Sequence, residues 1–359
     1  LKQINLFFKK QNMKKKSLSA KKKIHNKLLT NLKNPLINNI YKDFKNFVEF
    51  NLNNSSFSVA VSGGVDSLAL TYFSKCYSIL NNIKIRYYHV DHKLRNESST
   101  EAKKIKTFLK KFDINCKILT WTGKKPKTNI QSVARENRYN LIYKECLKDK
   151  INFVFVAHNI DDLYENFIIR LLRGSGLKGL VSFNQVQTNY NHKLKILRPL
   201  IIHKKNDLNF ITKKIFNFNF EDPSNKNVNF KRIRIRNLIN TLKSEGLDLN
   251  KLKLTINNLS DSNTTINYYV TKNIKCNSTY NSKKKNFILN SDFFNQPHEI
   301  VFRSFNGLLK KIGGKYYSPR GKNLSKILTK LRSGEIKKVS ISGCIVEKIN
   351  NSFKIYREK

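Results

Sequence analysis

The sequence predicts an α/β protein: a doubly wound parallel sheet, then a helical linker region and a small α+β C-terminal domain. Three observations carry this. Short apolar, β-branched runs alternate with segments of helical spacing over residues 57–173, the pattern of parallel strands joined by crossover helices. The first run, Phe57–Val61, breaks at Ser62-Gly63-Gly64 and resumes as a helix through Leu68, Leu70 and Tyr72. Ser62, Asp91 and His158 each follow a different strand, so the topology gathers them at the edge where open parallel sheets bind ligands.

Residues 1–50 read as a basic N-terminal extension. No acid precedes Asp43, and Tyr41, Phe44, Phe47 and Val48 have helical spacing. The Lys-rich start suits a solvated tail or an RNA-contacting arm, and it is poor in the Ser and Arg of an import signal. Residues 51–245 hold the sheet. After the glycine loop come a strand at 83–90, a helix at 98–112, a strand at 114–121 and a helix at 129–147. A strand at 153–157 and a helix at 161–173 follow, then a strand in LKILRPLI from Leu194, a helix at 207–218 and a basic helix with Arg232, Arg234 and Arg236. Residues 246–292, rich in Asn and Lys with weak periodicity, read as helical linker. Residues 293–359 read as a separate domain with short strands near 315–317, 338–342 and 353–356.

The charge bounds the partners. Seventy Lys and Arg against 24 Asp and Glu give a formal net charge of +46, far beyond what solubility requires. A drift of composition toward Lys and Asn accounts for part of it, yet such a field attracts polyanions whatever its origin. No apolar run is long enough for a membrane span, so no membrane partner is expected. The five cysteines (Cys76, Cys116, Cys146, Cys276, Cys344) form no CxxC pair and no metal-ligand spacing with histidine, which points to reduced structural thiols.

The loop Ser62-Gly63-Gly64-Val65-Asp66-Ser67 is a candidate phosphate cradle. Two residues without Cβ let backbone N–H groups converge on an anion, and the helix N-terminus adds its dipole. It is not a Walker A loop, because no Gly-Lys-Ser/Thr closes it. Asp66 suits the helix dipole and could hold the Mg²⁺ that bridges nucleotide phosphates. His92 and His158 stand at strand ends. In His158-Asn159-Ile160-Asp161-Asp162-Leu163-Tyr164-Glu165, three carboxylates fall within five positions, and i, i+3 and i, i+4 spacings let them share one helical side. Like charges so close need a cation: Mg²⁺ or an ammonium substrate would serve. Arg170 and Arg173 form the basic end of the same helix, before Gly174-Ser175-Gly176, and Arg135 and Arg138 lie on one face of the helix before it.

These residues resemble one family, the tRNA(Ile)-lysidine synthetases of the Rossmann-like PP-loop ATP-pyrophosphatase superfamily. The likeness rests on SGGVDS (62–67), HVDHKLR (89–95), ARENRY (134–139), AHNIDDLYENFIIRLLRGSGLKGL (157–180), RPL (198–200) and EDPSNKNVNFKRIRIRN (221–237). It continues more weakly through GGKYYSPRGK (313–322) and SGCIV (342–346). The resemblance implies adenylation by ATP of the wobble cytidine in a CAU-anticodon tRNA(Ile), with pyrophosphate released, then attack by the amine of free lysine. It implies ATP binding by Ser62, Gly63, Gly64, Val65, Asp66, Ser67, His92 and His158, with Mg²⁺ at Asp66. It places Asp66, Asp162, Glu165, Arg232 and Arg236 in the catalytic set, and Arg95, Arg135, Arg138, Arg170 and Arg173 against tRNA or adenylate. The family's second His and its Gln are here Asn159 and Leu163. A homodimer remains open. The Asn/Lys-rich composition suits an AT-rich endosymbiont or organelle genome. The likeness of the C-terminal unit to that of alphaproteobacterial relatives points to an organelle-encoded, mitochondrial enzyme, with a bacterial cytoplasm or plastid stroma as alternatives. The competing classes are a PP-loop tRNA thiolation enzyme, which would need a reactive cysteine set, and an inactive tRNA-binding homologue.

Overall fold

The structure is a computed structural model that describes residues 19–53, 55–94, 97–123, 130–183, 185–189, 194–218, 231–314, 319 and 321–358. The chain divides into two units, 1–249 and 250–359.

In the first unit, a helix over residues 19–30 (α1) and α2 (Pro35–Leu52) precede β1 (Ser58–Ala60), and α3 (Val65–Asn81) leads to β2 (Arg86–Asp91). Then follow α4 (Ser98–Lys110), β3 (Cys116–Thr120), α5 (Ile130–Lys148), β4 (Phe153–Phe155), α6 (Ile160–Leu171) and the short α7 (Leu177–Leu180). The hairpin of β5 (Val186–Asn189) and β6 (Leu194–Leu197), then α8 (Lys205–Phe216) and α9 (Lys231–Ser244), complete it. The sheet order is β3-β2-β1-β4-β6-β5, parallel throughout except for the antiparallel edge strand β5, which the sequence reading lacked.

Register explains why so few residues suffice for each strand. Cys116, Tyr87, Val59, Phe155 and Leu197 pair in one continuous row across five strands. All five point to one face, where side chains of α2, α3, α4 and α8 cover them. Their neighbours Tyr88, Val154 and Ile196 point to the other face and pack on Ile142 and Cys146 of α5. Period-2 alternation with both faces buried gives the near-continuous apolar runs seen in the sequence. The Phe57 and Phe155 rings stack at 4.1 Å in the centre of the first face.

The boundary expected at residue 50 does not match the packing. Ile37, Ile40, Phe44 and Val48 of α2 are core residues, and α1 is pinned beside it. The Tyr72 hydroxyl donates to the Leu28 carbonyl (3.1 Å), and His25 pairs with Asp113 (2.8 Å). The "extension" from residue 19 onward is therefore part of the first unit.

Residues 246–292, expected as a linker, form one 29-residue helix, α10 (Leu249–Asn277), and the strands β7 (Ser278–Asn281) and β8 (Asn286–Leu289). With α11 (His298–Gly313), α12 (Gly321–Arg332), β9 (Lys338–Ile341), β10 (Cys344–Ile349) and β11 (Ser352–Arg357) they build the second unit. Its five-stranded sheet runs β7-β8-β11-β10-β9, and every pairing is antiparallel. Phe305, Leu309, Leu324 and Leu328 of the two helices cover Val346, Phe353 and Ile355 of the sheet. Gly313 is required there, since a Cβ would lie 2.3 Å from the Ser342 carbonyl oxygen. The strand expected at 315–317 falls outside the described residues.

Candidate functional site

The strand order reverses between β1 and β4. The connection from β1 leads through α3 to β2 on one side, and that from β4 runs through α6 toward β6 on the other. A crevice opens at the carboxyl ends of such a pair. The N-termini of α3 and α6 both start there, and they bring the glycine loop and the acidic cluster together.

Gly63 takes φ +90°, a backbone conformation that only glycine adopts without strain. This curl turns the N–H groups of Ser62 and Gly63 onto Ser67 Oγ (3.2 and 3.0 Å), which itself donates to the Gly64 carbonyl (2.9 Å). Ser62 and Gly63 thus brace the loop through Ser67. Gly64 caps α3 without a side-chain hydrogen bond. Donors left for an anion include those of Gly64 and of Val65 and Asp66 in the first turn, which have no intrahelical acceptor.

Asp66 Oδ1 is buried and meets no hydrogen-bond partner. Burial, with Asp162 and Asp161 adding repulsion, pushes its carboxyl up to about 6, against opposing help from Asn159 and Lys205. The α3 and α6 acids therefore share one electrostatic environment. On α6, Asn159 is the N-cap and accepts from the N–H groups of Asp161 (3.0 Å) and Asp162 (3.1 Å). Asp162 Oδ2 accepts the Asn159 N–H in return (3.1 Å), which closes a capping box. Asp162 Oδ1 lies 3.8 Å from Arg232 Nη1. One turn on, Glu165 is buried at 1% exposure, with Oε1 on Arg236 Nε and Oε2 without a partner. Burial raises its carboxyl despite the Arg236 contact. The acids of α6 and the arginines of α9, about seventy residues apart in sequence, thus pair two by two.

The histidines stand in a basic field. Burial and Arg138 push His92 down to about 4; Arg138 Nε lies 3.4 Å from its Nε2, and its Nδ1 is buried without a partner. His158 is held well below the usual imidazole range by burial and by Arg198, Arg135, Arg232 and Arg138. Arg170 is depressed by burial and by its neighbours Arg173 and Arg135, so the basic residues expected against RNA cluster on the ends of α5 and α6. Gly174, at φ +65°, ends that helix, and the Ser175 N–H bonds back to the Arg170 carbonyl (3.0 Å). Its role is a C-cap. Arg95 and residues 221–230 lie outside the described residues.

Asp91 is a loop staple: its carboxylate accepts the Lys93 N–H (2.9 Å) and the Ser99 hydroxyl (2.6 Å). The sequence reading assigned no role to Arg198, the first residue of RPL, which is fully buried just after β6. A cation inside the apolar run LKILRPLI was the available signal.

Among the described residues, no group of three or more His, Cys, Asp or Glu forms a metal centre, and no helix is long and apolar enough to cross a membrane. Cys76, Cys116, Cys146 and Cys344 are buried, and burial pushes the thiols of Cys76 and Cys116 up to about 12 and that of Cys146 to about 11.

Comparison with known proteins agrees with this geometry. The PP-loop domain family matches residues 30–242. The tRNA(Ile)-lysidine synthase of Rickettsia felis is 30% identical over 324 residues, which cover 86% of this chain and 73% of that protein. The enzyme of the same name from Rickettsia prowazekii is 31% identical with the same coverage. That from Wolbachia pipientis is 29% identical, covering 85% and 71%. Among solved structures, the U34-tRNA thiolase of Methanococcus maripaludis superposes with a TM-score of 0.51 at 15% identity, over 62% of this chain and 76% of that one, a likeness of fold.

Proposed function

The chain belongs to the PP-loop family and within it to the tRNA(Ile)-lysidine synthases, ATP-dependent ligases, and from that membership we propose how its site divides the work. ATP adenylates the C2 oxygen of the wobble cytidine of a CAU-anticodon tRNA(Ile), and pyrophosphate leaves. The amine of free lysine then attacks C2. The C2–N bond forms, the C2–O bond breaks, AMP departs with the electron pair, and the nitrogen gives up a proton.

The N–H groups of Gly64, Val65 and Asp66 take the leaving diphosphate at the positive end of α3. Arg232, loosely paired with Asp162, stabilises charge building at the α-phosphate, and Arg236 serves the catalytic set through its direct contact with Glu165. Asp162 and Glu165 receive the lysine ammonium, for which the unpartnered Oε2 of Glu165 is a ready acceptor. Arg95, Arg135, Arg138, Arg170 and Arg173 face tRNA or adenylate, and His92 and His158 face the nucleotide.

The donor set fits Mg²⁺. Asp66 presents a buried oxygen that nothing else engages, and Mg²⁺ commonly takes one carboxylate with the substrate's phosphates and water rather than an all-protein cage. When bound, the ion would neutralise negative charge on the triphosphate. Its presence would also keep Asp66 ionised in a setting that otherwise favours the neutral acid.

The observation that carries this reading is the meeting of Asp66 with Asp161, Asp162 and Asn159 at the strand-order reversal. Burial raises the thiols of Cys76, Cys116 and Cys146, the opposite of the lowered, reactive cysteines that a thiolation reading would need. The named relatives are bacterial, which favours a bacterial cytoplasm over the mitochondrial setting expected from the sequence. Incubation of the chain with radiolabelled lysine and a tRNA(Ile) transcript tests the whole. Label should enter the RNA only with ATP present, and should not enter when the wobble cytidine is replaced by uridine. Lysine-independent consumption of ATP with no labelled RNA would overturn the assignment.

A further inference from the structure

We propose that Arg198 is a positioning residue: it fixes His158 as a neutral imidazole protonated at Nε2, whose N–H donates to a phosphate oxygen of the bound nucleotide. The proposal rests on the nucleotide reading of the site above.

The geometry leaves little freedom. Arg198 follows the last residue of β6 and is anchored by its N–H to the Gln185 carbonyl (2.8 Å). Its side chain is wholly buried, and Nε lies 3.0 Å from His158 Nδ1. The guanidinium stacks over the Phe183 ring at 4.5 Å, and the same ring meets the His158 imidazole edge-on at 4.9 Å. Three side chains from three separate segments therefore lock one another.

A guanidinium N–H can only donate. Nδ1 must then present its lone pair, and the neutral ring carries its one proton on Nε2. A second proton on Nδ1 would point at the Arg198 N–H, so the doubly protonated ring is excluded by contact as well as by charge. Burial and the surrounding Arg135, Arg138 and Arg232 act in the same direction. No described residue hydrogen-bonds Nε2. The result is a fixed donor at the carboxyl end of β4, next to the strand-order reversal where the loop of β1 opens. Stability alone gives no reason to keep the arrangement, because buried charges are commonly replaced by apolar residues of similar volume without loss.

The test uses the full chain labelled with ¹⁵N-histidine, His158 being assigned by its loss in His158→Gln. In the wild type, the ring should show the Nε2–H tautomer with no protonation from about pH 5.5 to about 8. In Arg198→Met, the tautomers should mix and the ring should begin to titrate. In ATP-dependent pyrophosphate release with tRNA(Ile), the KM for ATP of Arg198→Met should rise roughly tenfold while kcat changes less than about threefold. Arg198→Lys, which can still donate to Nδ1, should recover the tautomer and most of the KM. A wild-type ring protonated on Nδ1 overturns the proposal even if Arg198→Met fails to fold. So does a tautomer that ignores the substitution, or an unchanged KM in Arg198→Met when His158→Ala raises it. Absence of lysine incorporation by a wild type that binds ATP with the expected tautomer would remove the lysidine reading and leave this one standing.

Discussion

Replacing Asp66 with asparagine keeps the shape of the side chain and removes a buried charge, which sets stability against function at one atom. Folding raises this carboxyl from 3.8 to about 6, chiefly through burial. The folded state therefore holds the proton more tightly than the unfolded chain does. The stability this contributes is complete below about pH 4, declines as pH rises toward 6, and is gone above it. A rise of about two units at about 1.4 kcal/mol each makes the ionised form cost about 3 kcal/mol at pH 7. Asp66→Asn should recover most of that. For a unit of this size, the melting temperature should rise by about 5–10 °C at pH 7, and hardly at all at about pH 4. The same variant should lose lysine incorporation by roughly a hundredfold or more, since the amide cannot hold a cation against the diphosphate. Mg²⁺ with ATP should raise the wild-type melting temperature and not that of the variant. Thermal melts at both pH values beside the incorporation assay decide the matter. If Asp66→Asn melts with the wild type at pH 7 and retains activity, Asp66 carries neither the strained charge nor the role built on it.

Other expectations follow from the same contacts. Arg236→Met strands Glu165 in the interior and should cost about 2 kcal/mol at pH 7, less than for a wholly buried pair because the Arg236 side chain is 38% exposed. Adding Glu165→Gln should restore most of it in thermal melts, and a purely additive loss would mean that the pair is not coupled. A thiol reagent should label Cys276 alone in the folded chain without loss of activity, as mass spectrometry can count, because the other four thiols are buried. Affinity for tRNA should fall steeply with salt, and Arg170→Gln with Arg173→Gln should reduce the log–log slope by about 2. A filter-binding series with an unchanged slope would show that these arginines contact no phosphate.

The sheet and the loop were legible because their signals are local. A β-branched run, two glycines and a resumed helical period fall within a dozen residues, and the strand-final positions of Ser62 and His158 follow from topology alone. What escaped depends on distance or on short length. Nothing in Ser67 itself says that its hydroxyl will take the N–H groups of Ser62 and Gly63. Strands β5, β7 and β8 have four residues each, too few for a period to stand out, and pairing decides them. Helix α10 is dense in Asn, Thr and Ser, which favour turns in isolation. Its second half is held by tertiary bonds: Arg303 donates to Asn263 (2.6 Å), and Asn273 donates to Ser304 (3.2 Å). Asn read as a loop former is there a buried partner.

The acidic cluster is where sequence and structure answer each other. Three carboxylates within five positions of a chain carrying a net +46 required a compensating cation. The structure supplies two from the chain itself, Arg232 on Asp162 and Arg236 on Glu165. The two pairs differ in closeness. Arg236 contacts Glu165 directly, whereas Arg232 stands 3.8 Å from Asp162 and is 45% exposed. The looser guanidinium is the one that an incoming ammonium can displace at small cost, which would leave Arg232 free to turn toward a phosphate while Arg236 keeps Glu165 charged. Lysine and adenylate would then assist each other's binding, since each takes one half of a pair that neither can use while it is closed. Arg232→Gln should accordingly weaken ATP and remove the dependence of ATP affinity on lysine, and calorimetric titration of ATP with and without saturating lysine would expose equal affinities if the exchange occurs. Coupling that persists undiminished in the variant would assign the communication to other residues.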